Sequence, residues 1–145
     1  MQKAIIFDYN RTLFNPESGV LFFGVKEILE HYQEKKYTLF LVAKGDKERK
    51  EQIKSLGLNA YFKKIIVNPE KTKSDFEECM KACEEEVEFY VVGDRIKREI
   101  LFGNQCGMKT IWLKRGKFKN ETPEKIEEEA HYIISSIQEI KKIIN

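Results

Sequence analysis

Residues 3–13 read KAIIFDYNRTL, and the fold is decided there. Ala4, Ile5, Ile6 and Phe7 are consecutive apolar side chains, which suits a strand buried on both faces. The switch to polar residues then puts the Asp8 carboxylate at the strand's C-terminal end. Strands of that kind belong to open parallel sheets, whose ligands bind at the C-terminal edge. Taken alone, an acid after a strand also reads as a turn former.

The same alternation continues down the chain. Short apolar runs predict strands at Lys3 to Asp8, Tyr37 to Ala43, Lys64 to Val67, Phe89 to Gly93 and Lys109 to Leu113, with a weaker sixth at His131 to Ile134. Amphipathic stretches predict helices near Val25 to Lys35, Lys47 to Leu56, Ser74 to Glu85, Ile96 to Cys106 and Ser136 to Ile143. Strand and helix in turn define an α/β fold: a three-layer α/β sandwich with a Rossmann-like parallel sheet of five to six strands and helices on both faces. Gly57 and Gly107 stand where left-handed helix caps belong, and Asp46 and Thr72 where N-caps belong. The segment Phe14 to Phe23, with Pro16 and Gly19, fits neither period and predicts an irregular loop or small hairpin flap over the Asp8 edge.

At 145 residues, one domain spanning 1–145 is expected. The balance of 41% hydrophobic and 34% charged residues is that of a globular chain. Lys and Arg number 26 against 24 Asp and Glu, with the signs interleaved, so no global field recruits nucleic acid or an anionic membrane. The apolar runs are too short to span a bilayer and the first strand starts without a cleavable leader, which makes a cytoplasmic location the expectation. Cys79, Cys83 and Cys106 contain no CxxC pair, against a zinc site or disulfide framework. Phe76, Cys79, Met80, Cys83 and Val87 form one stripe at helical spacing and read as core. His31 and His131 have no identifiable partner and read as surface or packing residues.

In a parallel sheet the turns after the strands share an edge. Asp8, Lys71 in NPEKTKSDF, and Asp94 and Glu99 in FYVVGDRIKREI therefore converge from distant parts of the chain. Several carboxylates with one ammonium suit Mg²⁺ and a phosphate: hard oxygens hold the cation, while the ammonium offsets phosphate charge and separates the acids.

These residues closely resemble the haloacid dehalogenase (HAD) superfamily of phosphohydrolases, over essentially the whole chain. FDYNRTLF is similar to the family's first motif, Asp-x-Asp-x-Thr, and VVGDRIKREI to its last, Gly-Asp followed by a second acid. LFLVAKGDKERKEQIKSLGL resembles the strand and helix of the second motif. The resemblance implies that Asp8 attacks phosphorus to give an aspartyl-phosphate. It also implies that Mg²⁺ is held by Asp8, the Asn10 backbone carbonyl and Asp94, with Glu99 behind them, and that Lys71 holds both Asp8 and the phosphoryl oxygens. Lys73 is a rival for the lysine role, because either register of PEKTKSDF aligns. On the substrate side stand Thr12, Arg11, Ala43 and Lys44.

Two departures bear on the chemistry. Asn10 occupies the position where phosphatases of this family carry the Asp that protonates the leaving alkoxide and then activates water, a role worth about 10²- to 10⁴-fold in rate. Ala43 occupies the position of the Ser or Thr that hydrogen-bonds a phosphoryl oxygen, a loss of about 1.5–3 kcal/mol that Lys44 next door can offset. Arg11 replaces a common Gly and brings a cation near the phosphate or points to solvent. The expected substrates therefore have leaving groups that need no proton, such as acyl or aryl phosphates, and a degenerate phosphate- or protein-binding module is the alternative.

Only the flap and one helix separate the first and second motifs, so no inserted cap domain is expected. The site should be open to a phosphorylated small molecule or a large phosphorylated substrate, and the resemblance to capless members implies that a homo-oligomer can lend a lid from a neighbouring subunit. A signalling receiver does not fit, since its acceptor acid follows the third strand, which here ends in Val67-Asn68-Pro69. The basic run LKRGKFKN, with Lys114, Arg115, Lys117 and Lys119 near Trp112 and Phe118, reads as a solvated loop rather than a nucleic-acid contact.

Overall fold

The computed structural model describes residues 2–145. Six parallel strands form one sheet: β1 (Gln2–Asp8), β4 (Thr38–Lys44), β5 (Lys64–Asn68), β6 (Val87–Gly93), β7 (Lys109–Leu113) and β8 (Tyr132–Ile134). Their order is β5-β4-β1-β6-β7-β8, with every pairing parallel. A separate two-stranded hairpin, β2 (Phe14–Asn15) and β3 (Val20–Leu21), is the flap expected between Phe14 and Phe23. The α/β architecture, and the weak sixth strand, are as the periodicity predicts.

Period-two alternation explains how one strand serves two cores. From β1, Ile5 and Phe7 face one side with Leu39, Leu41 and Val92, while Ala4 and Ile6 face the other with Phe40 and Val91. The first face is covered by α1 (Val25–Glu34), through Ile28, Leu29 and Tyr32, and by Ile53 of α2 (Lys47–Ser55). The second is covered by α3 (Lys73–Lys81), through Phe76 and Cys79. With β1 running between β4 and β6, the chain winds one way to β4 and β5 and the other way to β6, β7 and β8. The reversal lies beside β1, which makes the C-terminal end of β1 the topological switch point of the sheet.

Three helical segments differ from expectation. The stretch Ile96 to Cys106 opens as a π-helix over Ile96–Ile100 and continues as α4 (Leu101–Gln105). Its wide turn buries Ile96, Ile100 and Glu99 together, packing the two isoleucines against Trp112. The last segment is 3₁₀ over Ile137–Lys142 rather than α. Ile137 and Ile140 are buried three residues apart, which is the 3₁₀ repeat, and Glu139 closes the start by accepting from the Ser135 and Ser136 amides, both at 2.7 Å. The third helix stops at Lys81, so the apolar stripe breaks: Phe76 and Cys79 are core, Met80 is 40% exposed, and Val87 already belongs to β6.

The caps fall where expected. Asp46 accepts from the Glu48 amide at 3.0 Å, and Gly57 and Gly107 have φ of 73° and 74°. His131 does have a partner: its Nδ1 accepts from the Thr110 amide at 3.1 Å and pins β8 to β7. No helix among the described residues is long and apolar enough to cross a membrane.

Candidate active site

The loop after β1 folds around one carbonyl. The amides of Thr12, Leu13 and Phe14 all donate to the Tyr9 oxygen, at 3.2, 2.9 and 3.0 Å, and Arg11 takes a left-handed φ of 66° to permit it. This turn carries Thr12 back beneath Asp8, where its hydroxyl donates to Asp8 Oδ2 at 3.0 Å. The other carboxylate oxygen, Oδ1, accepts from Lys71 Nζ. Both Asp8 oxygens are thus oriented by the protein, and Asp8 is only 4% exposed.

Lys71 is placed by Asp75. That buried carboxylate accepts from Asn68 Nδ2 at 2.6 Å and from the Thr72 amide at 3.0 Å, so the loop carrying Lys71 is clamped on both sides. Lys71 also donates to Glu99 Oε2 at 2.9 Å. Burial alone would lower the Lys71 pKa, but Asp8 and Glu99 outweigh it and hold the ammonium above its ordinary value. Lys73 is exposed at the first turn of α3, so of the two lysines it is Lys71 that meets the acids.

Asp94 follows β6 directly, its backbone oxygen held by the Trp112 indole N–H at 3.0 Å. Its Oδ2 accepts from Arg11 Nε at 2.8 Å. Glu99 reaches the same place from the π-helix, and Gly93 makes room for it: a Cβ on Gly93 would lie 2.6 Å from Glu99 Oε1. Carboxylate oxygens of Asp8, Asp94 and Glu99 all lie within 4.8 Å of one another. Burial and the neighbouring carboxylates push Asp94 up to about 8, with Arg11 opposing. Burial and Asp8 likewise push Glu99 up to about 7, with Lys71 opposing.

Asp94 Oδ1, Glu99 Oε1 and Asn10 Oδ1 are buried without a hydrogen-bond partner among the described residues. Orphaned hard-oxygen acceptors beside three crowded carboxylates are the donor set of a divalent cation such as Mg²⁺, so the residues present fit that ion.

The acids line a cavity of about 540 Å³. Asn10, Arg11 and Lys44 also face it, whereas Thr12 is fully buried behind Asp8 and Ala43 sits 1% exposed in the core. Ala43 therefore lies under the site and not in its wall. Sequence reading missed Arg49, Arg95 and Arg98, and read Lys117 and Phe118 as part of a solvated loop; all five line the cavity. The loop after β7 leaves the sheet at the same edge as Asp8. Phe118 lies against the guanidiniums of Arg95 and Arg11, at 4.0 and 4.8 Å, and Arg115 stacks on Phe22 of the flap at 3.8 Å. The available signal was a cluster of cations directly after a parallel strand, which places them at the ligand edge.

Comparison with known proteins finds likenesses in sequence and in fold. A family model described as HAD-hydrolase-like matches residues 71–140. A glyceraldehyde 3-phosphate phosphatase of Pyrococcus furiosus is 26% identical over 128 residues, covering 83% of this chain and 53% of that protein. The chain thus spans about half the length of that curated relative. A HAD phosphatase from Thermococcus onnurineus superposes with a TM-score of 0.80 at 15% identity, covering 99% of this chain and 98% of that one. A HAD-hydrolase of Bacillus subtilis bound to magnesium superposes with a TM-score of 0.72 at 22% identity, covering 89% of this chain and 58% of that one. These two structural likenesses establish the fold. The family model, over residues 71–140, and the phosphatase relative add a likeness in sequence to HAD-type hydrolases.

Proposed function

We propose that the chain is a Mg²⁺-dependent phosphohydrolase or phosphotransferase that works through an aspartyl-phosphate on Asp8, within a single core domain lacking an inserted cap. One observation carries this reading: the buried Asp8 carboxylate, oriented by Thr12 and Lys71, stands beside Asp94 and Glu99 at the sheet's switch point. The phosphatase relative and the fold support it.

Asp8, Asp94 and the Asn10 backbone carbonyl would hold the cation, with Glu99 beside them. When bound, Mg²⁺ supplies charge neutralisation and Lewis-acid polarisation of a phosphoryl oxygen. The Asp8 carboxylate attacks phosphorus, the bond from phosphorus to the leaving oxygen breaks, and that oxygen departs with the electron pair. The Lys71 ammonium, charged at any working pH, binds the phosphoryl oxygens while keeping Asp8 aligned. Water then attacks the aspartyl-phosphate, releasing inorganic phosphate and restoring Asp8.

Proton transfer is the weak point. The Asn10 amide can donate a hydrogen bond but cannot give up a proton at neutral pH. Acyl and aryl phosphates, whose leaving groups need none, should therefore turn over better than alkyl phosphates. The test is phosphate release from acetyl, p-nitrophenyl and sugar phosphates with Mg²⁺, against EDTA and Asp8→Asn controls. Metal-dependent turnover lost in Asp8→Asn supports the hydrolase, and equal rates on all three substrates would remove the leaving-group argument. No turnover above the control favours the second reading, a degenerate phosphate-binding module, for which the Arg11–Asp94 ion pair and Asn10 argue.

A further inference from the structure

The cavity holds more positive charge than one phosphoryl group needs. Seven Lys and Arg side chains line it against three carboxylates, although the whole chain carries a formal net charge of only +2. Three of the seven are engaged by protein acids: Lys71 by Asp8 and Glu99, Arg11 by Asp94, and Arg95 by Glu121 at 3.1 Å. The remaining four are Lys44, Arg49, Arg98 and Lys117. Among the described residues, Arg49, Arg98 and Lys117 make no ion pair, and Lys44 reaches only Glu70, at 3.8 Å on the exposed surface.

Arg49 is also held in place. Its Nε donates to the Lys44 carbonyl at 3.3 Å, its terminal nitrogen donates to Gln52 Oε1 at 2.9 Å, and the guanidinium lies 5.1 Å from the Tyr9 ring centre. Gly45 permits that approach: with φ of 153°, it leaves open a space where a Cβ would come 2.5 Å from Arg49 Cβ. Arg98 is half-buried, one residue before Glu99 on the π-helix, and Lys117 enters from the loop after β7. The four cations come from four different elements and face one space.

A divalent ion with Lys71 and Arg11 exceeds the three carboxylates by one charge, and a phosphoryl dianion turns that small excess negative. The other four cations then leave about three positive charges unanswered. We propose that they form a second anion subsite, so that the natural substrate is a small phosphate compound carrying another anionic group, a carboxylate or a second phosphate, in the same molecule. This rests on the phosphohydrolase reading for the first phosphate and adds the class of the group bound beyond it. Guanidinium forks suit both carboxylate and phosphate, so the two sources are separated by experiment.

The experiment is calorimetric titration of the full chain with methylphosphonate, phosphonoacetate and methylenediphosphonate, repeated without Mg²⁺ so that chelation by the ligand is not counted as affinity. At least one two-headed ligand should bind about tenfold or more tightly than methylphosphonate. The better of the two tells carboxylate from phosphate. That ratio should fall toward one in Arg49→Ala and in Arg98→Ala and be partly kept in Arg49→Lys, with thermal unfolding checking that each variant is folded. Equal affinity for one- and two-headed ligands overturns the subsite, as does a 5′-phosphorylated oligonucleotide that outcompetes both two-headed ligands. A tenfold ratio with no phosphate release in the preceding assay upholds the subsite and overturns only the hydrolase.

Discussion

The Arg11 guanidinium lies 2.8 Å from Asp94 Oδ2, so a cation from the loop after β1 occupies one oxygen of the acid that the HAD resemblance assigns to the metal. The arrangement is held from several sides: φ of 66° turns Arg11 inward, Arg115 donates to its carbonyl at 3.2 Å, and Phe118 covers its guanidinium. Arg11 and a divalent ion therefore draw on the same carboxylate.

Replacing Arg11 by Gly removes the competitor and suits the left-handed backbone. Mg²⁺ affinity, measured by calorimetry, should rise about tenfold or more, equivalent to about 1.4 kcal/mol. Without Mg²⁺ the variant should be less stable, because Asp94 loses its counter-charge. Unchanged Mg²⁺ affinity would show that the ion pair does not oppose the metal.

Asn10→Asp should restore a proton donor next to Asp8. We expect alkyl phosphate turnover to rise by about 10²-fold while acyl phosphates change little, since their departure needs no proton. Steady-state rates on a sugar phosphate and on acetyl phosphate measure this. A rise of the same size on both would point to a change in binding instead.

Metal-free stability should fall as pH rises. Burial and mutual repulsion raise Asp94 to about 8 and Glu99 to about 7 in the fold, well above the ordinary carboxylate range. Between about pH 4 and about pH 8 the folded state then binds more protons than the unfolded one, so stability is greatest below that window and is lost across it, by on the order of a few kcal/mol. Urea midpoints across the window in EDTA should decline. Mg²⁺ should flatten the decline by stabilising the ionised acids, and a flat profile in EDTA would contradict the crowding of the three carboxylates.

Gly93→Ala should damage the site through packing alone. The added Cβ would meet Glu99 Cγ at 2.5 Å and Glu99 Cβ at 2.6 Å, in a place where the π-helix cannot retreat without unseating Ile96 and Ile100. A loss of about 1–3 kcal/mol in unfolding free energy is expected, with weaker Mg²⁺ binding. Native stability and native Mg²⁺ affinity together would show that Glu99 has another way in.

Lys71→Met leaves Asp8 and Glu99 without their shared cation. The metal-free protein should lose about 3–5 kcal/mol, the usual cost of stranding buried charge, and Mg²⁺ should recover part of it. Thermal unfolding with and without Mg²⁺ reads both effects.

The sequence by itself determined the α/β alternation, the strands, the flap, and the convergence of Asp8, Lys71, Asp94 and Glu99. The reason is that parallel strands bury both faces, so their apolar runs are visible locally, and their C-terminal ends share one edge whatever the details of packing. The π-helix that delivers Glu99 and the 3₁₀ form of the last segment were decided by tertiary packing, since both depend on which side chains the neighbouring strands and helices leave room for. The same holds for the choice of Lys71 over Lys73, because only the Asp75 clamp selects the register. Arg11 on Asp94, Ala43 behind the cavity, and the gathering of Arg49, Arg98 and Lys117 around it are contacts between residues far apart in the chain. No local period encodes such contacts, and only the folded sheet brings their partners within reach.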